Sequence, residues 1–282
     1  MWEMFLPSLT QRWLVRRAAA LDARLGAPLG RRIRAFEDRA FAKGRQMHPM
    51  GLDQPEEDEF LMALPFCSAT VALIFPFLRE LQPWDRFDER LPARRRRRIL
   101  RFYREAVRRQ LHRSGPERTH LAKNPVFSGK VASLLEDFPD ARFVVCVRSP
   151  FETIPSLQKM MERNWKASDV DRARIADSLE VLAENSFAAY WHPFEVLDAR
   201  PDVIWTTVRY EALVARPRET VEDVYRELGL PVTPALREAL EAEEARAREH
   251  RSEHVYSLDE YGLTRDRIRT ELEPLFERFG WQ

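Results

Sequence analysis

The sequence predicts a helix-rich α/β fold built on a parallel sheet. Phe143 to Val147 is a short β-branched apolar run that leads at once into a helix start. Val203 to Val208 is a second such run, reached after a long helical stretch. Most of the remaining chain carries apolar residues at helical period. Strands separated by helices imply parallel pairing through crossovers. A chain of 282 residues is long enough for one large core. Without an internal repeat or a long linker, a single domain over residues 1–282 is the simplest expectation.

Met1 to Arg17 reads as a loop and helix. Leu21 to Lys43 is amphipathic and Arg-rich, interrupted at Gly26-Ala27-Pro28. Asp53 and Glu56 form a capping-box pair, which predicts a helix from about Pro55 with Glu57, Asp58 and Glu59 in its first turn. Asp58 is expected to point away from its neighbours. Phe60 to Leu78 reads as a buried helix rather than a membrane span, because Pro65, Ser68, Thr70 and Pro76 interrupt it. Pro83 to Pro92 reads as a loop. Ala93 to Arg113 is a long helix striped by Ile99, Leu100, Tyr103, Val107 and Leu111. The five arginines at Arg94 to Arg98 lack interleaved aromatics and read as a solvated face, not a nucleic-acid surface.

Thr119 to Lys123 is expected to be a short strand and Gly129 to Phe138 a helix. Together with Phe143 to Val147, a strand expected to be buried on both faces, they would make a βαβ unit. Ser149, Pro150 and Glu152 then supply an N-cap, a proline at the first helical position and an acid three residues after the cap. Helices follow over Asp169–Leu197, Thr220–Leu228 (closed by Gly229), Pro234–His250 and Thr264–Phe279, with a loop at Tyr256–Gly262.

Charged residues make up 32% of the chain yet nearly cancel, to +1, which argues against a nucleic-acid coat protein. The two cysteines, Cys67 and Cys146, lie in apolar runs and read as packed thiols of a reducing cytosol. They are too few and too far apart for a cysteine-based zinc site, and no metal is expected. Met1 to Leu14 shows no signal-peptide pattern, so a cytoplasmic protein without an integral membrane segment is expected.

In parallel α/β sheets ligands sit at the carboxyl ends of strands. Lys123 follows the first expected strand, Arg148 and Ser156 the second, Arg209 and Tyr210 the third. An Arg delivered to a helix N-terminus is an anion site: the guanidinium grips phosphate bidentately while free N–H groups and the helix dipole add to it. Ser156 lies eight residues beyond Arg148.

The stretch ARFVVCVRSPFETIPSL resembles the 3′-phosphate-binding segment of sulfotransferases that use 3′-phosphoadenosine-5′-phosphosulfate. PEEDEF, HLAKNPVFSGKVASLLEDFPDARF, VRYEALVARPRETVEDVYRELGLP and HVYSLDEYGLTRDRIRTELEPLFERFGW are similar to successive blocks of that family's bacterial branch. The resemblance runs over the whole chain. It implies a P-loop-NTPase-like sheet flanked by helices, with Arg148 and Ser156 on the 3′-phosphate; Tyr210, at a strand end, is the candidate to stack on or bond to the adenine. It also implies 3′-phosphoadenosine-5′-phosphosulfate as co-substrate without a metal, and a small-molecule, lipid or glycan acceptor that presents a hydroxyl or amine.

For catalysis, Lys123 is the candidate cation at the transferring group. Many cytosolic members place a His two residues after a comparable Lys; here that position is Pro125, so a carboxylate is the expected base and Glu57 is chosen. His120 reads as structural. The family's N-terminal strand and R-x-G-T-T loop find no match, and Met1 falls just after that segment. A start set too late is the expectation, since loss of the strand would bare the apolar edge of its neighbour. The alternative is a catalytically impaired relative that only binds nucleotide or a partner. A P-loop kinase is excluded, because no G-x-x-x-x-G-K-[ST] is present.

Overall fold

The computed structural model describes residues 9–42, 57–115, 117–167, 170–249 and 263–282. In chain order its elements are α1 Leu9–Arg24, α2 Pro28–Ala40, α3 Glu59–Met62, α4 Leu78–Asp85, α5 Phe87–Arg90 and α6 Ala93–Ser114. Next come α7 Val131–Asp137, β1 Phe143–Val147, α8 Pro150–Lys166, α9 Arg172–Asp198 and β2 Trp205–Arg209. The chain ends with α10 Tyr210–Ala215, α11 Pro217–Glu227, α12 Pro234–Glu249, α13 Arg265–Glu271 and α14 Glu273–Phe279. The fold is helix-rich α/β with a small parallel sheet. The chain divides into two compact units, Met1–Ser68 with Arg97–Pro125, and Ala69–Arg96 with Val126–Gln282.

In the first unit, α1 and α2 form a helical hairpin. Gly26 and Ala27 both take positive φ (82° and 55°) to turn the corner. The Asp22 carboxylate then accepts the Leu29 and Gly30 amides, both at 2.8 Å, which closes the start of α2. On α6 four of the five predicted stripe residues, Ile99, Leu100, Tyr103 and Val107, are buried, and Leu111 is half-buried.

The second unit holds the sheet. β1 and β2 run parallel in the register Phe143↔Trp205 through Val147↔Arg209, and α8 and α9 form the crossover between them. Val147, Phe151, Ile154, Phe187, Phe194, Phe276 and Trp281 belong to the central cluster, with Val145 and Trp205 packed against it. α8 is also anchored at its far end, where the fully buried Trp165 donates its indole N–H to the Ala72 carbonyl at 2.6 Å. Gly129, in the 3₁₀ turn Pro125–Lys130, lets two backbones meet: a Cβ there would stand 1.7 Å from the Asp85 carbonyl oxygen.

Several expectations are corrected. Thr119 to Lys123 is not a strand; among the described residues the sheet has two strands only, and His120 and Lys123 of this segment are taken up by the contacts described below. The parallel unit is therefore β1–α8–α9–β2. β1 is not buried on both faces: Val144 is 39% exposed and Cys146 is exposed too. The helix α11 reaches the far face over β2, where Thr206 hydrogen-bonds Glu227, but leaves it open over β1.

Phe60 to Leu78 is not one helix. Pro65 and Pro76 break it into α3, a 3₁₀ turn at Ala69–Leu73 and the start of α4, and Phe66, Ile74, Phe75 and Phe77 are exposed. Pro83 lies within α4 and α5 follows directly, so Pro83 to Pro92 is largely helical. The last predicted helix is two, because Leu272 leaves helical geometry ahead of Pro274. The Asp53–Glu56 pair and the Tyr256–Gly262 loop lie outside the described residues.

Candidate active site

In the second unit β1 delivers Arg148 to the first turn of α8, which starts at Pro150 as its sequence predicts. The capping box does not form. Ser149 makes no side-chain cap bond, and its carbonyl instead accepts the amides of Glu152 and Thr153 at 3.0 and 3.1 Å. Glu152 turns back to Arg148, whose Nε donates to Oε2 at 2.7 Å. The guanidinium is 32% exposed and lies over the Tyr210 ring at 4.2 Å. The structure thus brings Arg148 and Tyr210 together at the carboxyl ends of β1 and β2. Ser156 sits one helical turn beyond Glu152 on the same face of α8, half-buried.

Tyr190 escaped the sequence reading. Its hydroxyl donates to the Arg148 carbonyl at 2.7 Å and also bonds Thr153, so α9 fastens the strand-to-helix turn. Burial pushes its phenol well above the ordinary range, and the bond to Thr153 opposes that in part. A tyrosine inside a long helix carries no local mark of such a role; only the fold brings it to a partner 42 residues away in sequence. Arg265 lies over the Phe151 ring, 3.9 Å from its centre, beside the same helix start. Arg209 at the end of β2 is paired loosely with Glu211 at 3.8 Å.

In the first unit three consecutive acids are fastened to one downstream segment. Glu57 is paired with Lys123 Nζ, Asp58 Oδ2 lies 2.8 Å from His120 Nε2, and Glu59 accepts from Asn124 Nδ2 at 3.3 Å. Asp58 does not point away as expected. It is buried at the centre of the group and also accepts the Tyr103 hydroxyl at 2.6 Å. A buried carboxylate needs such donors, because an unpaired one would cost several kcal/mol. Burial, with the Asp58 charge next in importance, raises the Tyr103 phenol far above its usual range. Glu57 and Lys123, the two residues chosen from sequence for catalysis, therefore stand together. Lys123 is 75% exposed, whereas Glu57 is 28% exposed.

A cation over an aromatic ring at a strand end, followed by a helix N-terminus, suits a nucleotide phosphate. Comparison with known proteins is consistent with that chemistry. The chain is 26% identical over 258 residues to the omega-hydroxy-beta-dihydromenaquinone-9 sulfotransferase Stf3 of Mycobacterium bovis, and equally to that of Mycobacterium tuberculosis. Each match takes in 85% of this chain but 61% of the relative, so the chain spans about three fifths of the curated proteins it matches. In solved structures, it resembles sulfotransferase STF9 from Mycobacterium avium with a TM-score of 0.66 at 20% identity, over 87% of this chain and 62% of that one. STF1 from Mycobacterium tuberculosis follows with a TM-score of 0.60 at 22% identity, over 88% and 63%. These likenesses fix the fold as that of sulfotransferases. The model of the sulfotransferase family matches residues 7–234, most of the chain, and with that match the chain belongs to the sulfotransferase family.

Proposed function

We propose that the protein transfers a sulfuryl group from 3′-phosphoadenosine-5′-phosphosulfate to a hydroxyl of a lipid-like acceptor in the cytoplasm. Family membership supports sulfuryl transfer, and the observation that carries the donor is Arg148, delivered by β1 onto Tyr210 at the start of α8. Arg148 and Ser156 would hold the 3′-phosphate and Tyr210 the adenine. When bound, the nucleotide supplies the activated sulfuryl group. Of the first unit's residues, Lys123 is the proposed cation for the transferring group and Glu57 the proposed base for the acceptor's proton. A lipid acceptor is favoured because the named relatives act on a menaquinone derivative and the Ala69–Leu73 turn is followed by exposed Ile74, Phe75 and Phe77.

The test is calorimetry with 3′,5′-bisphosphoadenosine. Arg148→Ala should abolish binding while circular dichroism stays unchanged, and Ser156→Ala should weaken it less, since one neutral hydrogen bond is lost. Unchanged affinity in Arg148→Ala would remove the site assignment. A second reading, a relative that binds nucleotide without transfer, is favoured by the ion pair that joins Lys123 to Glu57 and occupies both residues proposed for catalysis. Nucleotide binding with no labelled sulfuryl transfer, from this chain and from an N-terminally extended form alike, would select it.

A further inference from the structure

The α1–α2 hairpin has the wrong surface for a helix pair bathed in water alone. Across both helices only Arg12 and Glu37 are buried. Leu14, Ala18, Leu21 and Leu25 recur at helical spacing along one face, and Leu29, Ile33, Phe36 and Ala40 repeat the pattern beyond the corner. The large members are open: Leu14 is 53% exposed, Leu21 59%, Leu25 70%, Leu29 55%, Ile33 41% and Phe36 59%. Between residues 9 and 42 there are eight arginines against three acids, a local excess of +5 in a chain whose total is +1. All of these arginines except Arg12 are exposed. On the flank of α1, Leu9, Thr10 and Trp13 with His112 and Arg113 of α6 line a cavity of about 420 Å³.

We propose that this hairpin is a membrane-surface anchor whose partner is an anionic lipid bilayer. An exposed apolar stripe set among arginines is the pattern of a helix that lies in the headgroup layer, apolar side down. The helices are 16 and 13 residues long and carry four arginines each, so they lie on a bilayer and do not cross it. Charge decides between a bilayer and a second copy of the chain: two copies would bring like surfaces of +5 together, whereas anionic headgroups neutralise them. The cavity adds the Trp13 indole to the apolar surface of α1, a residue type that favours the membrane interface. The corner clamp by Asp22 holds the two stripes in a fixed mutual arrangement, so that both helices engage as one element. Nothing in this depends on sulfuryl transfer.

The test is flotation of the full chain with vesicles of phosphatidylcholine, alone or with phosphatidylglycerol. The chain should float with the anionic vesicles only, and high salt should release it. Leu21→Glu/Ile33→Glu should lower partitioning more than tenfold, because each exchange loses an aliphatic insertion and adds a repelled charge. Arg32→Gln/Arg34→Gln, which keeps the stripes, should lower it less and flatten the salt dependence. In the unmodified chain, hydrogen exchange should slow across residues 9–40 when anionic vesicles are added, a reading that needs no variant. Equal binding to neutral vesicles, no binding at all, unchanged exchange, or a dimer by light scattering that Leu21→Glu/Ile33→Glu dissolves would each overturn the proposal. Binding of 3′,5′-bisphosphoadenosine, measured on the same samples, separates this outcome from any failure of the donor assignment.

Discussion

Arg148 is held in place by a competitor. Glu152 occupies the guanidinium that a phosphate would use, and at i,i+4 on an exposed helix start such a pair contributes only about 0.5 kcal/mol. A dianionic phosphate displaces it at small cost. Glu152→Gln should therefore tighten 3′,5′-bisphosphoadenosine binding by roughly two- to fivefold, because the competing charge is removed and the side chain kept. Calorimetry on the two proteins decides it; weaker binding would mean that Glu152 orients Arg148 instead of masking it. The Arg148 position was legible in sequence because a β-branched run, an Arg and a Ser-Pro step are all local signals. Tyr190 and Asp58 were not. Each works through partners dozens of residues away, and a tyrosine in a helix or an acid among acids carries no sign of them.

The limits of β1 and α6 and the start of α8 at Pro150 fall close to where the residue pattern puts them, although Ser149 makes no cap bond. The elements that were misread depend on neighbours. Thr119 to Lys123 reads as a strand, yet a strand exists only if another chain segment pairs with it, and here none does; His120 and Lys123 turn instead to Asp58 and Glu57. Phe60 to Leu78 looks like one helix by hydropathy, and two prolines were enough to divide it. Packing between elements is equally strict at Gly129, where the backbone of the 3₁₀ turn meets that of α4. Gly129→Ala should destabilise the protein by about 3 kcal/mol or more, since the obstacle is backbone and cannot swing aside. Urea unfolding would measure it, and a change below about 1 kcal/mol would show that the turn can retreat.

At the scale of the molecule, ion pairs tie α9 to its neighbours within the second unit. Arg79 binds Asp177, Arg174 binds Glu80, and Arg267 binds Glu180. In each case the arginine's hydrogen bond holds the carboxyl below its ordinary value, which is 3.8 for Asp177 and 4.5 for the two glutamates. A lowered carboxyl stabilises the fold above its unfolded pKa and loses that contribution as pH falls through the folded one. The melting temperature should thus hold from neutrality to about pH 5 and decline below it, with a shallower decline in high salt because the pairs are exposed. An acid limb insensitive to salt would assign the loss to other groups.

The parallel pairing of β1 with β2 has a kinetic consequence. Phe143 meets Trp205 across a crossover that contains the whole of α8 and α9. Neither strand has a local hairpin partner to form early, so the two helices must be in place before the strands can find register. In a stopped-flow experiment, helical ellipticity should return well ahead of the near-ultraviolet signal of the packed tryptophans, and substitutions at the β1–β2 pair should speed unfolding more than they slow refolding. The anion site at the end of β1 would then be among the last features to form. Nucleotide added during refolding should leave the early rate unchanged and act only by slowing the way back.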